Sequence, residues 1–199
     1  QVFTRPMPEA DFSINDSMQC LEGNLFGFSE NSSILYGNLD HYWTLPGDTH
    51  STANTVYFNF DKVDTNMIKL ITTSGFGCQD SITRKVYILP SPEAIFTIND
   101  TAQCLDGNKF TFSDISNYKG TEKSPGWDFD NGNTSQNKID STSYDQDGIY
   151  SVWLKIENQF GCQDSISQEI EVYPQPQVDL GADTSLGFKD SLVLAPDSQ

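Results

Sequence analysis

Basic residues are scarce in this chain. Eleven Lys and Arg stand against 28 Asp and Glu in 199 residues, for a formal net charge of −17. Nucleic acid and anionic membrane surfaces are gripped by clustered Lys and Arg, so neither is expected as a partner. Long apolar runs are missing too: nowhere do about 18 apolar residues follow one another, which excludes a membrane-spanning helix. No charged-then-apolar leader opens the sequence, and Gln1 reads as the start of a mature or trimmed segment. Histidine occurs only at His41 and His50, and no G-x-S-x-G elbow, H-E-x-x-H helix, P-loop or dinucleotide fingerprint is present. Catalysis is therefore not expected, and His41, beside Trp43, reads as a turn or strand-edge residue. The C-x-x-C pairs of zinc and redox sites are also lacking. Hydrophobic content of 36% and a mean hydropathy of −0.46 predict a soluble chain with modest cores.

What is present is repetition. EADFSINDSMQCLEGNLFGFS begins at Glu9 and EAIFTINDTAQCLDGNKFTFS at Glu93, and GCQDSI recurs from Gly77 and Gly161. All these anchors share the offset that separates Glu9 from Glu93, with no insertion or deletion between them. A fixed period of this length is the mark of tandem modules, each large enough for its own small core. The expected organisation is a first module over residues 1–90 and a second over 91–175. Residues 176–199 match neither copy and read as the start of a further β module or a C-terminal strand. Pro-containing segments at 89–92 and 173–176 punctuate the two module ends as short, semi-rigid joints.

Four cysteines follow the same period: Cys20 and Cys78 in the first copy, Cys104 and Cys162 in the second, equally far apart in each. One identically placed pair per copy reads as one disulfide inside each module. Such bonds persist outside the cytosol, which points to an extracellular or cell-surface location.

Period-two alternation dominates. Phe12 and Ile14 answer Phe96 and Ile98; Phe26 and Phe28 answer Phe110 and Phe112. Ile68, Leu70 and Thr72 answer Val152, Leu154 and Ile156. Ile82, Arg84, Val86 and Ile88 answer Ile166, Gln168, Ile170 and Val172. Short alternating strands between Gly-, Asn-, Asp- and Ser-rich turns predict an all-β chain of tandem antiparallel, Ig-like β-sandwiches, about seven strands each. Trp43 and Trp127 occupy equivalent places and are expected in the core, with a sugar-stacking platform as the alternative. Trp153 alternates out of phase with Val152 and Leu154, so it should face outward as a candidate ligand contact.

In the second copy, Trp127-Asp128-Phe129-Asp130-Asn131-Gly132 followed by Gly148-Ile149-Tyr150-Ser151-Val152-Trp153-Leu154 resembles the PKD domain. That family is marked by a W-D-F-G-D-G turn and a later G-x-Y-x-V-x-L strand. The first copy departs, with Trp43-Thr44-Leu45-Pro46-Gly47-Asp48 at the turn and Asn66 in place of Tyr150. The cysteine-bearing form with a late G-C-x-D-[ST] motif is similar to PKD modules of secreted and surface proteins of the Bacteroidota. The resemblance implies long arrays in gliding-motility adhesins and other type IX secretion cargo.

Asp-Ser/Thr-aliphatic triplets place hydroxyls at Ser17, Ser81, Thr101, Ser165 and Ser191, with a looser instance at Ser141. They resemble the O-glycosylation acceptor motif of that phylum, whereas turn capping by short polar side chains explains the same residues. The N-x-[ST] sequons at Asn15, Asn31, Asn99 and Asn133 belong to a eukaryotic setting that the resemblance does not support. Asp128, Asp130 and Asn131 form a candidate calcium cluster, against which stands a polar turn capping its own backbone. No other cofactor is expected. The combined expectation is a non-catalytic, rod-like segment of a bacterial surface adhesin. Its partners would be neighbouring modules of the same chain, surface polysaccharide or other cell-surface proteins. The alternative is an accessory or carbohydrate- or protein-binding module of a secreted hydrolase.

Overall fold

The structure, a computed structural model, describes residues 5–177 and is all β among them. The expectations for the tail, including Ser191, lie outside the described residues. Alternating apolar side chains at period two leave each strand one face to bury, and the chain satisfies this twice with two sandwiches. In the first, β1 (Phe12–Ile14), β3 (Phe26–Glu30) and β6 (Thr55–Phe58) form a three-stranded sheet in the order β1-β3-β6. Opposite lies a five-stranded sheet in the order β2-β8-β7-β4-β5, made of β2 (Met18–Cys20), β8 (Gln79–Leu89), β7 (Thr65–Ser74), β4 (Leu39–Leu45) and β5 (Thr49–Ser51).

The second sandwich repeats this strand for strand. Its small sheet is β14 (Ile139–Thr142), β11 (Phe110–Asp114) and β9 (Phe96–Ile98). Its large sheet runs β10 (Ala102–Cys104), β16 (Gln163–Tyr173), β15 (Gly148–Glu157), β12 (Gly126–Asp128), β13 (Thr134–Ser135). Each sandwich thus has eight strands where about seven were expected. The additional one is the short return β5 or β13, which pairs back onto the tryptophan strand.

Both cores are aromatic. Trp43 is fully buried and meets Phe12 edge-on at 5.1 Å; Trp127 meets Phe96 edge-on at 5.2 Å. Each indole donates its N–H to a carbonyl ten residues on, Ala53 O and Asn137 O, both at 2.9 Å. The rings therefore belong to the cores, and a sugar-stacking role for them is set aside. Three positions break the simple alternation. Arg84 sets its guanidinium over the Phe12 ring, 4.9 Å from the ring centre, and pairs with Asp11 at 2.7 Å, so a cation–π contact stands where an inward apolar side chain was expected. Ile166 and Gln168, expected inward, are exposed on the early half of β16.

Long strands decide where the cysteines go. In each sandwich a short strand runs parallel to the far end of a long one: Cys20 registers with Leu89 and Cys104 with Tyr173. Cys78 and Cys162 stand at the opposite ends of those same long strands, just before Gln79 and Gln163. Eleven residues of extended chain lie between the two ends. That is about 35 Å at ~3.3 Å per residue. A disulfide needs Cα atoms within about 7 Å. The expected bond inside each module is therefore corrected: Cys20 is bonded to Cys162, with Cα atoms 5.6 Å apart, and Cys78 and Cys104 are free.

One internal defect is specific to the first sandwich. The Thr72 hydroxyl is fully buried with no hydrogen-bond partner, where the second sandwich carries Ile156. Thr72→Val keeps the branched shape and removes the orphaned group, which should stabilise the first sandwich by about 1 kcal/mol. Thermal unfolding of the two proteins checks this; an unchanged or lower Tm in the variant would show that the hydroxyl finds a partner.

Candidate functional site

The two segments that repeat best in sequence lie at opposite poles of each sandwich, and at the junction they face each other. At the C-terminal pole of the first sandwich is Gln19-Cys20-Leu21-Glu22-Gly23-Asn24. Leu21 N–H bonds Leu89 O at 2.7 Å, Gly23 makes the turn at φ +70°, and the Asn24 side chain bridges Leu21 O, Phe60 O and Phe60 N–H. At the N-terminal pole of the second is Gly161-Cys162-Gln163-Asp164-Ser165. There Asp164 accepts the Ala94 N–H at 2.7 Å, tying the incoming chain to the start of β16.

The disulfide crosses this junction, and hydrogen bonds flank it. Glu22 N–H donates to Ser91 Oγ at 2.8 Å. Asn158 is fully buried beside Cys162 and uses all of its amide. Its oxygen accepts the Phe160 and Cys162 N–H groups at 3.0 and 3.1 Å; its nitrogen donates to Pro90 O at 2.7 Å and Tyr118 O at 3.3 Å. The linker is thus held by a side chain of the second sandwich, and Cys162 is only 1% exposed. A shallow cleft beside the bond is lined by Glu22, Glu93, Lys119 and Asp164 among others. In the entropy model, a bridge spanning 142 residues removes about 5 kcal/mol of chain entropy from the unfolded ensemble.

The candidate calcium residues are occupied with their own turn. Asp128 accepts the Asp130 N–H at 3.0 Å and Asp130 accepts the Ser151 N–H at 2.9 Å. Asn131 accepts the Asn133 N–H and donates to Thr142 Oγ1 at 3.0 Å and Ser143 O. Gly132 takes φ +83°, and Asp130 rather than Asn131 takes φ +58°. In the first sandwich the turn uses Gly47 and Asp48 at φ +71° and +55° instead. Among the described residues no group of three or more His, Cys, Asp or Glu gathers as a metal ligand set.

Trp153 projects from the outer face of β15, 48% exposed, in register with Asp128 on one side and Ser167 on the other. Ser17, Ser81, Thr101 and Ser165 are exposed, and Ser141 is half-buried. The aspartates before them are structural. Asp16 and Asp100 accept the N–H two residues on, while Asp80 and Asp164 hold the Ala10 and Ala94 N–H groups. His50 stacks on Tyr42 at 5.1 Å, and His41 sits half-buried on β4 with Nε2 unpartnered.

Sequence reasoning missed the polar frame shared by both copies. Asn15 and Asn99, noted only as sequons, accept the N–H of Gly27 and Thr111 and donate to the carbonyls of Leu25 and Lys109. Their recurrence at the repeat offset was the available signal.

Residues 90–173 match the family model of the PKD domain. Among solved structures, the PKD1 domain from the Vibrio cholerae metalloprotease PrtV is 31% identical, with a TM-score of 0.37, over 42% of this chain and 98% of that one. The PKD1 domain of Vibrio anguillarum Epp is 27% identical, with a TM-score of 0.38, over 43% of this chain and 96% of that one. The fibronectin(III)-like modules of Clostridium thermocellum CbhA are 12% identical, with a TM-score of 0.41, over 84% of this chain and 95% of that one. No curated protein matches the chain.

The clamp on the incoming chain carries a pH signature. Backbone N–H groups of Ala10 and Ser81 hold the Asp80 carboxyl below its ordinary value of 3.8. A carboxyl lowered on folding contributes stability that is complete above its unfolded value and lost as pH falls through its folded value. The Tm should therefore fall as pH drops from about 5 to about 2. It should fall less steeply in Asp80→Asn, whose amide oxygen still accepts but does not titrate. Parallel curves for the two proteins would show that this clamp is not the titrating group.

Proposed function

Because the chain belongs to the PKD domain family, as tandem PKD-like domains, we propose that it is a non-catalytic, tension-carrying segment of a large extracellular bacterial surface adhesin. One observation supports this reading above others: the single disulfide joins the two sandwiches to each other. A bond inside a module would stabilise that module; a bond between modules fixes how they follow one another. Load entering before Cys20 and leaving after Cys162 crosses two sulfur atoms, so the backbone between them, a sequence separation of 142, is not drawn out. Extended, that stretch would reach about 500 Å. The bond also favours an oxidising compartment, consistent with the cell exterior.

Two measurements test the reading together. An antibody against this chain should label filaments on intact source cells; label confined to the medium and travelling with a hydrolase would overturn the adhesin. Single-molecule stretching should release about 500 Å more chain with reductant than without. Equal release in both conditions would show that the bond carries no load.

A second reading, an accessory module of a secreted hydrolase that contacts polysaccharide, is favoured by the exposed ring of Trp153. It expects measurable affinity for polysaccharide that drops about fivefold or more in Trp153→Ala, since an aromatic stacking face contributes on the order of 1 kcal/mol. Retained affinity in the variant would remove Trp153 from the contact.

A further inference from the structure

A single joint uses one copy of each repeated motif: Q-C-L-E-G-N from the first sandwich and G-C-Q-D-S from the second. Yet each sandwich carries both motifs. The unused ones are Gln103-Cys104-Leu105-Asp106-Gly107-Asn108 and Gly77-Cys78-Gln79-Asp80-Ser81, and they hold the two free cysteines. We propose that Cys104 and Cys78 are the open halves of the same staple. The early cysteine of each module would then be bonded to the late cysteine of the next module of this kind in the same polypeptide. This rests on the reading of the chain as part of a longer array.

Local geometry around the free cysteines matches that around the bonded ones. Leu105 N–H bonds Tyr173 O at 2.9 Å, as Leu21 N–H bonds Leu89 O at 2.7 Å. Gly107 stands at φ +72° against +70° at Gly23. Asn108 bridges Leu105 O, Tyr144 O and Tyr144 N–H as Asn24 bridges its counterparts. At the other pole, Ser74 N–H bonds Cys78 O at 2.8 Å and Asn158 N–H bonds Cys162 O at 3.0 Å. Gly77 and Gly161 stand at φ +82° and +84°. Each free cysteine thus sits in the backbone setting that, one period away, presents a sulfur to its partner.

Exposure differs between the equivalent cysteines in the way a missing neighbour would produce. Cys162 is buried and Cys78 half-buried; Cys20 is half-buried and Cys104 exposed. In both comparisons the bonded member is the more covered. The exits match as well: the prolines at 90 and 92 recur at 174 and 176, so a following sandwich would leave β16 along the same extended path.

Bond formation needs an oxidant of the disulfide class. The Cys104 thiol and the late-cysteine thiol of the next module give up two protons and two electrons, and one S–S bond forms. One disulfide of the oxidant, such as oxidised glutathione, is cleaved to two thiols. Successive loops would overlap along the stretch from Cys104 to Cys162. No interior module could then unravel under load without first breaking a covalent bond.

The test duplicates one module inside the full chain, placing a second copy of residues 90–173 between Tyr173 and Pro174. The protein is oxidised with a glutathione redox pair, its free thiols are alkylated, and unreduced peptides are mapped. The expected result is Cys20 joined to Cys162, and Cys104 joined to the late cysteine of the inserted copy. Cys78 and the early cysteine of the inserted copy should carry the alkyl group. Cys104→Ser should free the inserted late cysteine and leave Cys20–Cys162 in place. Alkylated Cys104 alongside an intact Cys20–Cys162 bond would overturn the proposal while leaving the observed joint standing. So would a Cys104 bond to a separate chain, seen as a dimer on a non-reducing gel. Loss of Cys20–Cys162 itself would overturn both this proposal and the adhesin reading that it extends.

Discussion

The arrangement depends on one constraint, the parallel pairing of a three-residue strand with the last residues of an eleven-residue strand. By registering Cys20 with Leu89 and Cys104 with Tyr173, it sends the two cysteines of a module to opposite poles. About 35 Å of extended backbone then separates them, several times what a disulfide spans. The shortest covalent option left to Cys20 is the pole of the next sandwich, which the Pro90–Pro92 linker brings alongside. The joint, the buried Cys162 and the load path all follow from that register.

The second requirement is that the poles be stiff enough to present a sulfur in a fixed place. Polar side chains supply this by bonding backbone groups that the strands leave unpaired. Asn24 and Asn108 tie the loop after the early cysteine to the body of the sandwich. Asp80 and Asp164 fasten the incoming chain beside the late cysteine. Asn158 adds a contact that reaches into the linker itself. Behind them the aromatic cores around Trp43 and Trp127 are rigid platforms, because close-packed rings transmit displacement rather than absorb it.

Much of this was legible from residue order. The alternation of Ile68, Leu70, Val152 and Leu154 gave the strands, and the single tryptophan shared by both copies gave the core. Trp153 faces outward as its phase predicts. The Asp128-to-Gly132 segment could be read either as a turn or as a cation site, and its hydrogen bonds are those of a turn. Cysteine pairing was not legible. A constant spacing between the two cysteines of each copy is equally compatible with bonds inside a module and bonds between modules. Only strand register, a property of the folded sheet, separates them. The polar frame was half-visible: Asn15 and Asn99 recur in the sequence, but their long-range partners exist only once β1 lies against β3 and β9 against β11. The outward turn of Ile166 and Gln168 was hidden for a related reason, since alternation predicts a face without saying how far the opposite sheet extends.

Which sulfur meets which decides the whole arrangement. Peptide mapping of the unreduced, thiol-blocked protein is the most direct measurement. The expected result is a linked pair carrying Cys20 and Cys162, with blocked thiols at Cys78 and Cys104. A pair carrying Cys20 and Cys78, or Cys104 and Cys162, would contradict it, because neither bond can form across the length of the strand that separates them.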